Sequence, residues 1–383
     1  MRWQTDVGKL PSLTDVLIVG AGPVGLATAT ALTRNGIGVT VVDRAATATH
    51  TSRAAVVHAR TLEALDRIGA AAPLVEAGIP APRFTIRDRD RVLVPVAFDG
   101  LPTPYPYALM VPQSTTEAVL NERLTAAGGT VRRGQELVGL DGATATFATG
   151  EVITARWVVA ADGMNSTVRR LAGIGFGNTA AEGESFTLAD VKVEGGPPRD
   201  EVVLYFSRSG MLVWAPLPDG TVRIVAAVDD APGEPTEAYV QALLSSRGPA
   251  REPARVTGVV WGSRFRVHHR VADTFRAGPV LLAGDAGHVH SPAGGQGMNL
   301  GLRDALALAD ALTDGSEAAL TRYAADRRPA AEEVVHFAAR LTRLATVPAA
   351  ARPLRNAALS ALSRVPAFRS NLALRLAGLT DRA

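Results

Sequence analysis

Asp15-Val16-Leu17-Ile18-Val19-Gly20-Ala21-Gly22-Pro23-Val24-Gly25 is the stretch on which the fold of this chain turns. It reads as a buried strand, then G-x-G-x-x-G, then a helix predicted from Pro23 to about Asn35. Each glycine has a separate task. Gly20 permits the tight turn, Gly22 lets a pyrophosphate approach the backbone, and Gly25 lets helix and strand pack closely. The helix N-terminus then faces the phosphates. A second apolar run, Gly38 to Val42, ends at Asp43, where a carboxylate can accept from ribose hydroxyls. The glycines alone are weak evidence. The preceding strand, following helix and terminal acid make the signal specific.

Two later segments have the same form. Val158-Val159-Ala160-Ala161-Asp162-Gly163 is an apolar run ending in Asp-Gly, and Ser166 and Arg169 open the next helix. Taken alone, Asp162 reads equally well as a ligand contact or as a cap on that turn. Val280-Leu281-Leu282-Ala283-Gly284-Asp285 is the third apolar run. The Gly-rich Pro292-Ala293-Gly294-Gly295-Gln296-Gly297-Met298-Asn299 follows and opens a long Ala/Leu helix. Gly20, Asp162 and Asp285 each follow a run that reads as a parallel strand. They are therefore expected to converge where open α/β sheets bind ligands, outside the carboxyl ends of the strands.

The chain has 383 residues, enough for two closely built domains, and 47% are apolar. No run of 18 apolar residues occurs, so no membrane span is expected. Met1 to Leu13 lacks a secretory apolar region, which points to a cytoplasmic location. There is no cysteine, which excludes disulfides and thiolate chemistry. The net charge is +3 and the pI near 9.6, because almost every cation is an arginine. No basic recognition motif accompanies it, so nucleic-acid binding is not expected. Arg340, Arg343, Arg352, Arg355, Arg364, Arg369 and Arg375 read as a solvated helix surface.

Along the chain, mixed α/β segments alternate with β-rich ones. Thr51 to Gly69 reads as helix-rich, and Thr115 to Ala127 as helix. Thr146 to Ile153 resembles a hairpin. Strands are expected at Thr187–Val193, Val202–Phe206, Met211–Ala215, Thr221–Val228 and Arg255–Arg266, with a helix near Thr236 to Ser246. After Leu282 the chain reads as almost wholly helical. The expected fold is α/β: a Rossmann-like nucleotide-binding domain assembled from 1–76, 107–180 and 271–346. An antiparallel β-sheet substrate domain is inserted at 77–106 and 181–270, and a helical segment covers 347–383.

With three signals in order, the chain resembles the FAD-dependent aromatic hydroxylases, the group A flavoprotein monooxygenases of the para-hydroxybenzoate hydroxylase fold. The likeness spans roughly Asp15 to Arg328. It is strongest to the polyketide and phenolic branch, through Arg53-Ala54 to Glu63, Pro112-Gln113-Ser114 and Pro292 to Asn299. The resemblance implies FAD as cofactor. Gly20, Gly22 and Gly25 would hold the pyrophosphate, with Asp43 on the adenosine ribose, and Pro23 and Arg44 would also belong to the cofactor site. Arg53 and Gln113 would contact the pyrophosphate and ribityl side, Asp162 would organise the pyrophosphate, and Gly284-Asp285 would bind the ribityl chain. Amides from Gly295 through Gly297 and Met298 to Asn299 would lie at the pyrimidine edge, and Pro292 beside the flavin face. NADPH or NADH would reduce the flavin, and O2 would add as a C4a-hydroperoxide that hydroxylates an aromatic or polyketide substrate. Relatives in that branch carry a C-terminal thioredoxin-like domain, which is expected to be missing here. A monomer or homodimer is expected.

For the substrate, Tyr107, Phe206, Met211, Trp214 and Pro216, with Tyr105 and Val213, are candidates for an aromatic and apolar wall. No general base is assigned. His288 and His290 lack further ligands at metal spacing, so a loop-ordering role is favoured and no metal is expected. Alternatives within the fold are Baeyer–Villiger, antibiotic-modifying or redox-neutral cyclase chemistry. Outside it stands an inactive flavoprotein binding module.

Overall fold

The computed structural model describes residues 9–48, 54–178, 185–266, 268–291 and 294–380. An eight-stranded sheet is built around five parallel strands in the order Val280–Leu282, Val152–Ala160, Leu13–Val19, Val39–Asp43 and Val131–Arg133. Their Val/Ile/Leu runs suit a sheet covered on both faces. One face packs against the helices Pro23–Arg34, Gln113–Ala126 and Gln296–Asp314 through Leu26, Leu32, Leu120, Leu124, Leu300 and Leu308. The other carries the hairpin of Leu137–Asp141 and Thr144–Phe147, whose Phe147 packs with Val158 and Val168.

A seven-stranded sheet forms the second layer. Its order is Arg255–Arg266, Ser185–Glu194, Val222–Ala227, Gly210–Pro216, Glu201–Ser207, Arg83–Asp88 and Arg91–Ala97. It is antiparallel except where Glu201–Ser207 runs parallel to Arg83–Asp88. These two strands come from separate stretches of chain, so no hairpin imposes the antiparallel order. The strand Ile79–Ala81, expected in this layer, instead pairs with Ala108–Met110, which also pairs with Val56–Val57. That small sheet bridges the layers: Ala55, Ala81 and Met110 pack on Val202 and Ala215.

The far face of the seven-stranded sheet lies under the helix Glu237–Arg247, with Tyr205, Leu212 and Ile224 against Val240 and Leu244. At one end its near face meets the C-terminal helices, where Phe206 and Met211 pack on Leu359, Ala373 and Leu376. Those helices, Arg352–Leu362 and Pro366–Leu376, each carry a proline in the first turn, where its missing N–H costs nothing. Arg355 departs from the solvated surface expected of this segment. It is 6% exposed, donates to Leu344 O, Ala345 O and Phe206 O, and stacks 4.4 Å from the Phe206 ring centre. The carbonyls it satisfies make its burial tolerable. The region after Leu282 also holds one short strand, His288–Val289, paired with Arg270–Ala272. Among the described residues, no helix is long and apolar enough to cross a membrane.

Candidate functional site

Parallel order puts the carboxyl ends of the strands along one edge. Gly20 N donates to Val42 O, Ala161 N to Val19 O and Ala283 N to Ala160 O, which ties the three turns side by side. The Asp43 carboxylate locks the first turn by accepting from Ala21 N (2.7 Å) and Ala45 N (2.8 Å). Its remaining lone pairs are available to a further donor. Gly20 has φ +107°, and a Cβ there would overlap Ala161 O; a Cβ on Gly25 would overlap Gly20 O. Beside Gly22, by contrast, no atom lies within 4 Å of where a Cβ would sit. The turn is packed shut at its outer glycines and open at the middle one, in front of a helix N-terminus.

Asp162 divides its two oxygens. Oδ2 accepts from Thr167 N (2.7 Å) and Val168 N (3.2 Å), so it caps the following turn together with Ser166, whose hydroxyl accepts from Arg169 N. Oδ1 is buried with no protein partner. The cap and the ligand contact are therefore compatible in one side chain. Arg169 crosses from this turn to the third one, donating to Ala286 O at 2.8 Å and to Met164 O at 3.0 Å.

The third turn is a short 3-10 helix, Gly284–Ala286, with Asp285 exposed on it. Asp304, on the long helix Gln296–Asp314, holds it from behind. One carboxylate oxygen lies 2.7 Å from His288 Nε2 and accepts from Gly284 N, while the other accepts from Arg327 Nε at 2.7 Å. Sequence reasoning passed over Asp304. The available signal was an acid flanked by Leu302, Ala305 and Leu306 on the apolar stripe of an Ala/Leu helix. His290 donates from Nδ1 to Ser291 O, which leaves its buried Nε2 bare as an acceptor.

At the start of the same helix, Gly294 and Gly295 have φ of +83° and +65°. Asn299 is 1% exposed, and its side chain is committed to Val56 O, Gly295 O and His58 N. Met298 packs against the central core. Gln113 starts its helix, donates to Glu117 and accepts from Ala54 N. Arg44 is exposed, and Pro23 occupies the first turn of its helix. Arg53 and Pro292 lie outside the described residues.

The near face of the seven-stranded sheet is the second wall. Leu204, Val213 and Val225 are neighbours in register across three strands and stay half-buried. Directly behind them, Tyr205, Leu212 and Ala226 are fully buried. The three apolar side chains of the strip, in mid-sheet, keep part of their surface accessible on the near face. Ala227 and Phe265 continue the strip, with Phe265 stacked on Phe186 at 5.5 Å.

The expected substrate set divides differently from the reading in sequence. Trp214 lies on the far face, packed with Val240 and Leu244, because strand alternation separates it from Met211 and Val213. Pro216 shares the parity of Trp214. Phe206 and Met211 do face the near side but are 0% and 4% exposed, covered by the C-terminal helices. Tyr107 packs with Tyr105 against the core of the first layer, their rings edge-on at 6.3 Å. Of the residues named in sequence, Val213 alone belongs to the accessible strip.

A three-turn dinucleotide-type mouth beside an accessible apolar sheet defines a cofactor-binding protein of two layers. The family profile described as FAD binding domain matches residues 13–338, and the chain belongs to that family. The 6-methylpretetramide 4-monooxygenase of Streptomyces rimosus is 39% identical over 356 residues, covering 88% of this chain and 63% of that protein. The chain thus spans just under two thirds of that relative's length. Among solved structures, the anhydrotetracycline hydroxylase OxyS from Streptomyces rimosus superposes with a TM-score of 0.79 at 33% identity, covering 97% of this chain and 77% of that one. The p-nitrophenol 4-monooxygenase PnpA from Pseudomonas putida DLL-E4 gives 0.83 at 26% identity, covering 97% and 100%. FAD is the cofactor. The clearance at Gly22 and the unpaired Asp162 Oδ1 fit a ligand with a pyrophosphate and hydroxyl donors.

Proposed function

We propose that this chain is a monooxygenase that uses FAD, NAD(P)H and O2 to place one oxygen atom on an aromatic or polyketide-type substrate. The observation that carries the reading is the accessible strip Leu204–Val213–Val225, whose Val213 packs on the same cluster as Val56, the residue that lies against Gly295. Adjacent strands lie about 4.8 Å apart, so the strip is roughly 10 Å wide, more than a single benzene ring. A fused, flat ring system covers such a surface better than a monocyclic phenol does. The relatives named for acting on 6-methylpretetramide and on anhydrotetracycline support the same reading.

In this reading FAD supplies the redox and oxygen chemistry, and the protein supplies position, dipoles and exclusion of water. Gly20, Gly22 and Gly25 hold the pyrophosphate at the helix N-terminus, with Asp43 and Arg44 on the adenosine side. Asp162, through Oδ1, and Gln113 serve the middle of the cofactor, and Gly284-Asp285 the ribityl chain. Backbone N–H groups of Gly295 to Asn299 present fixed donors to the pyrimidine edge. The strip holds the substrate by apolar contact.

The test is direct. Purified protein should carry or take up FAD, and a multi-ring phenolic compound should stimulate NAD(P)H oxidation with oxygen uptake. The product should gain one oxygen atom. Protein that neither contains FAD nor can be loaded with it sinks the proposal, as does an unchanged product mass across such a panel.

A further inference from the structure

His58 stands far from every motif of the cofactor mouth in sequence, yet it is bound to the loop that opens the long helix. It is 5% exposed and directly precedes the helix Ala59–Asp66. Its backbone N–H donates to Asn299 Oδ1 at 2.7 Å, and its ring Nε2 lies 2.9 Å from Gly294 O. A carbonyl only accepts, so Nε2 carries the proton and Nδ1 is bare. Asn299 returns two bonds, from Nδ2 to Val56 O (2.9 Å) and to Gly295 O (2.8 Å). Thr61 Oγ1 adds a longer one to Asn299 O. A Cβ on Gly295 would overlap Val56 Cγ1, so the two segments also touch without a gap. Residues 56–61 and 294–299 are thus laced together by side-chain bonds over more than 230 residues of sequence.

Gly294 and Gly295 are both left-handed, a conformation that must be held from outside because the loop has no side chains of its own there. His58 is the side chain that grips the first of them. We infer that His58 is a positioning residue for the flavin: it fixes the Gly294–Gly297 turn so that the N–H groups at the helix start face the pyrimidine edge. This rests on the assignment of the mouth to FAD. Burial holds the His58 imidazole down at about 4, with Arg303 adding to the effect, so the ring is neutral near pH 7. Replacing it therefore removes a hydrogen bond and its geometry, not a charge. Donors aimed at the pyrimidine edge favour the reduced ring over the oxidised one, because negative charge gathers there. A loosened turn lowers the reduction potential as well as the affinity.

The experiment compares unaltered protein, His58→Leu and His58→Gln, all loaded with FAD. FAD dissociation constants are read by fluorescence titration and midpoint potentials by equilibration with a reference dye. His58→Leu should bind FAD about tenfold more weakly, the scale of one lost buried hydrogen bond, and its potential should move negative. His58→Gln, whose amide N–H can reach Gly294 O, should recover most of both. If the leucine variant does not accumulate, His58→Asn, too short to reach Gly294, takes its place with the same expectation. Wild-type affinity and potential in the leucine or asparagine variant overturns the inference. Failure of the unaltered protein to take up FAD is a different result and removes the assignment beneath it.

Discussion

His288 Nε2 and Asp304 Oδ2 face each other across 2.7 Å, and neither side chain is exposed. Burial pushes the Asp304 carboxyl up, but Arg327 and His288 beside it outweigh burial and hold it down at about 2. The same carboxylate takes the Gly284 N–H, so the turn that carries Asp285 hangs on a group one helix away.

Asp304→Asn should therefore act at two levels. It leaves Arg327 beside a neutral partner in a buried site, where breaking one side of an ion pair costs about 3 kcal/mol or more. Urea unfolding measures that loss. FAD titration of the folded fraction should show weaker binding, since the Gly284 turn loses its charged anchor. Unchanged unfolding and unchanged FAD affinity would remove Asp304 from this role.

Acid should weaken the fold across the range in which a free histidine takes up its proton. Burial lowers both His58 and His290 from 6.5 to about 4. Between those values the unfolded chain binds protons that the folded chain does not, so stability falls as pH falls from about 6.5 to about 4. For His58 alone the loss is roughly 3 kcal/mol across the window. Urea midpoints at pH 7.5, 5.5 and 4.5 should fall in that order. His58→Gln should flatten the profile, and an unchanged slope in that variant would assign the effect elsewhere.

Two glycines of one motif should respond in opposite ways. Gly22→Ala meets no protein atom, so the apoprotein should unfold within about 1 kcal/mol of the unaltered chain. Its methyl group occupies the space in front of the helix N-terminus, so FAD affinity should fall steeply. Gly25→Ala overlaps Gly20 O and should destabilise the fold itself. Circular dichroism melts of the two apoproteins separate the cases. Full FAD affinity in Gly22→Ala would move the pyrophosphate away from this turn.

The two faces of the strand Gly210–Pro216 should also separate. Val213→Trp fills the accessible strip and should raise KM or abolish turnover of a multi-ring substrate while leaving FAD bound. Trp214→Leu hollows the core under the helix Glu237–Arg247 and should cost roughly 3 kcal/mol of stability, with KM little changed. A KM effect from Trp214→Leu larger than that from Val213→Trp would place the substrate on the wrong face.

Much of the candidate site's geometry was legible because turns at strand ends are written locally. Gly20 to Gly25, Asp43, Asp162-Gly163 and Gly284-Asp285 each sit where a strand ends, and strand ends can be read from apolar runs. Strand boundaries such as Arg255–Arg266 were readable for the same reason. The wall of the second layer was less legible. Met211, Val213 and Trp214 are all apolar, and a strand buried on both faces gives no alternation to say which side meets the cofactor layer. Arg355 was misread for a related cause: a charge on a helix reads as solvated until the carbonyls of Phe206, Leu344 and Ala345 are brought to it.

The sequence by itself determined the three strand-end turns and their order, because tight turns, close backbone approach and helix starts depend on residues a few positions apart. Only the tertiary structure decided how those turns are held. His58 with Asn299 and His288 with Asp304 join residues 241 and 16 positions apart. Asn299 and Asp304 lie on one helix, and the partners they anchor are fixed only when the parallel strands and that helix pack together. Hydrogen bonds of this kind follow from packing, and no spacing rule along the chain encodes them.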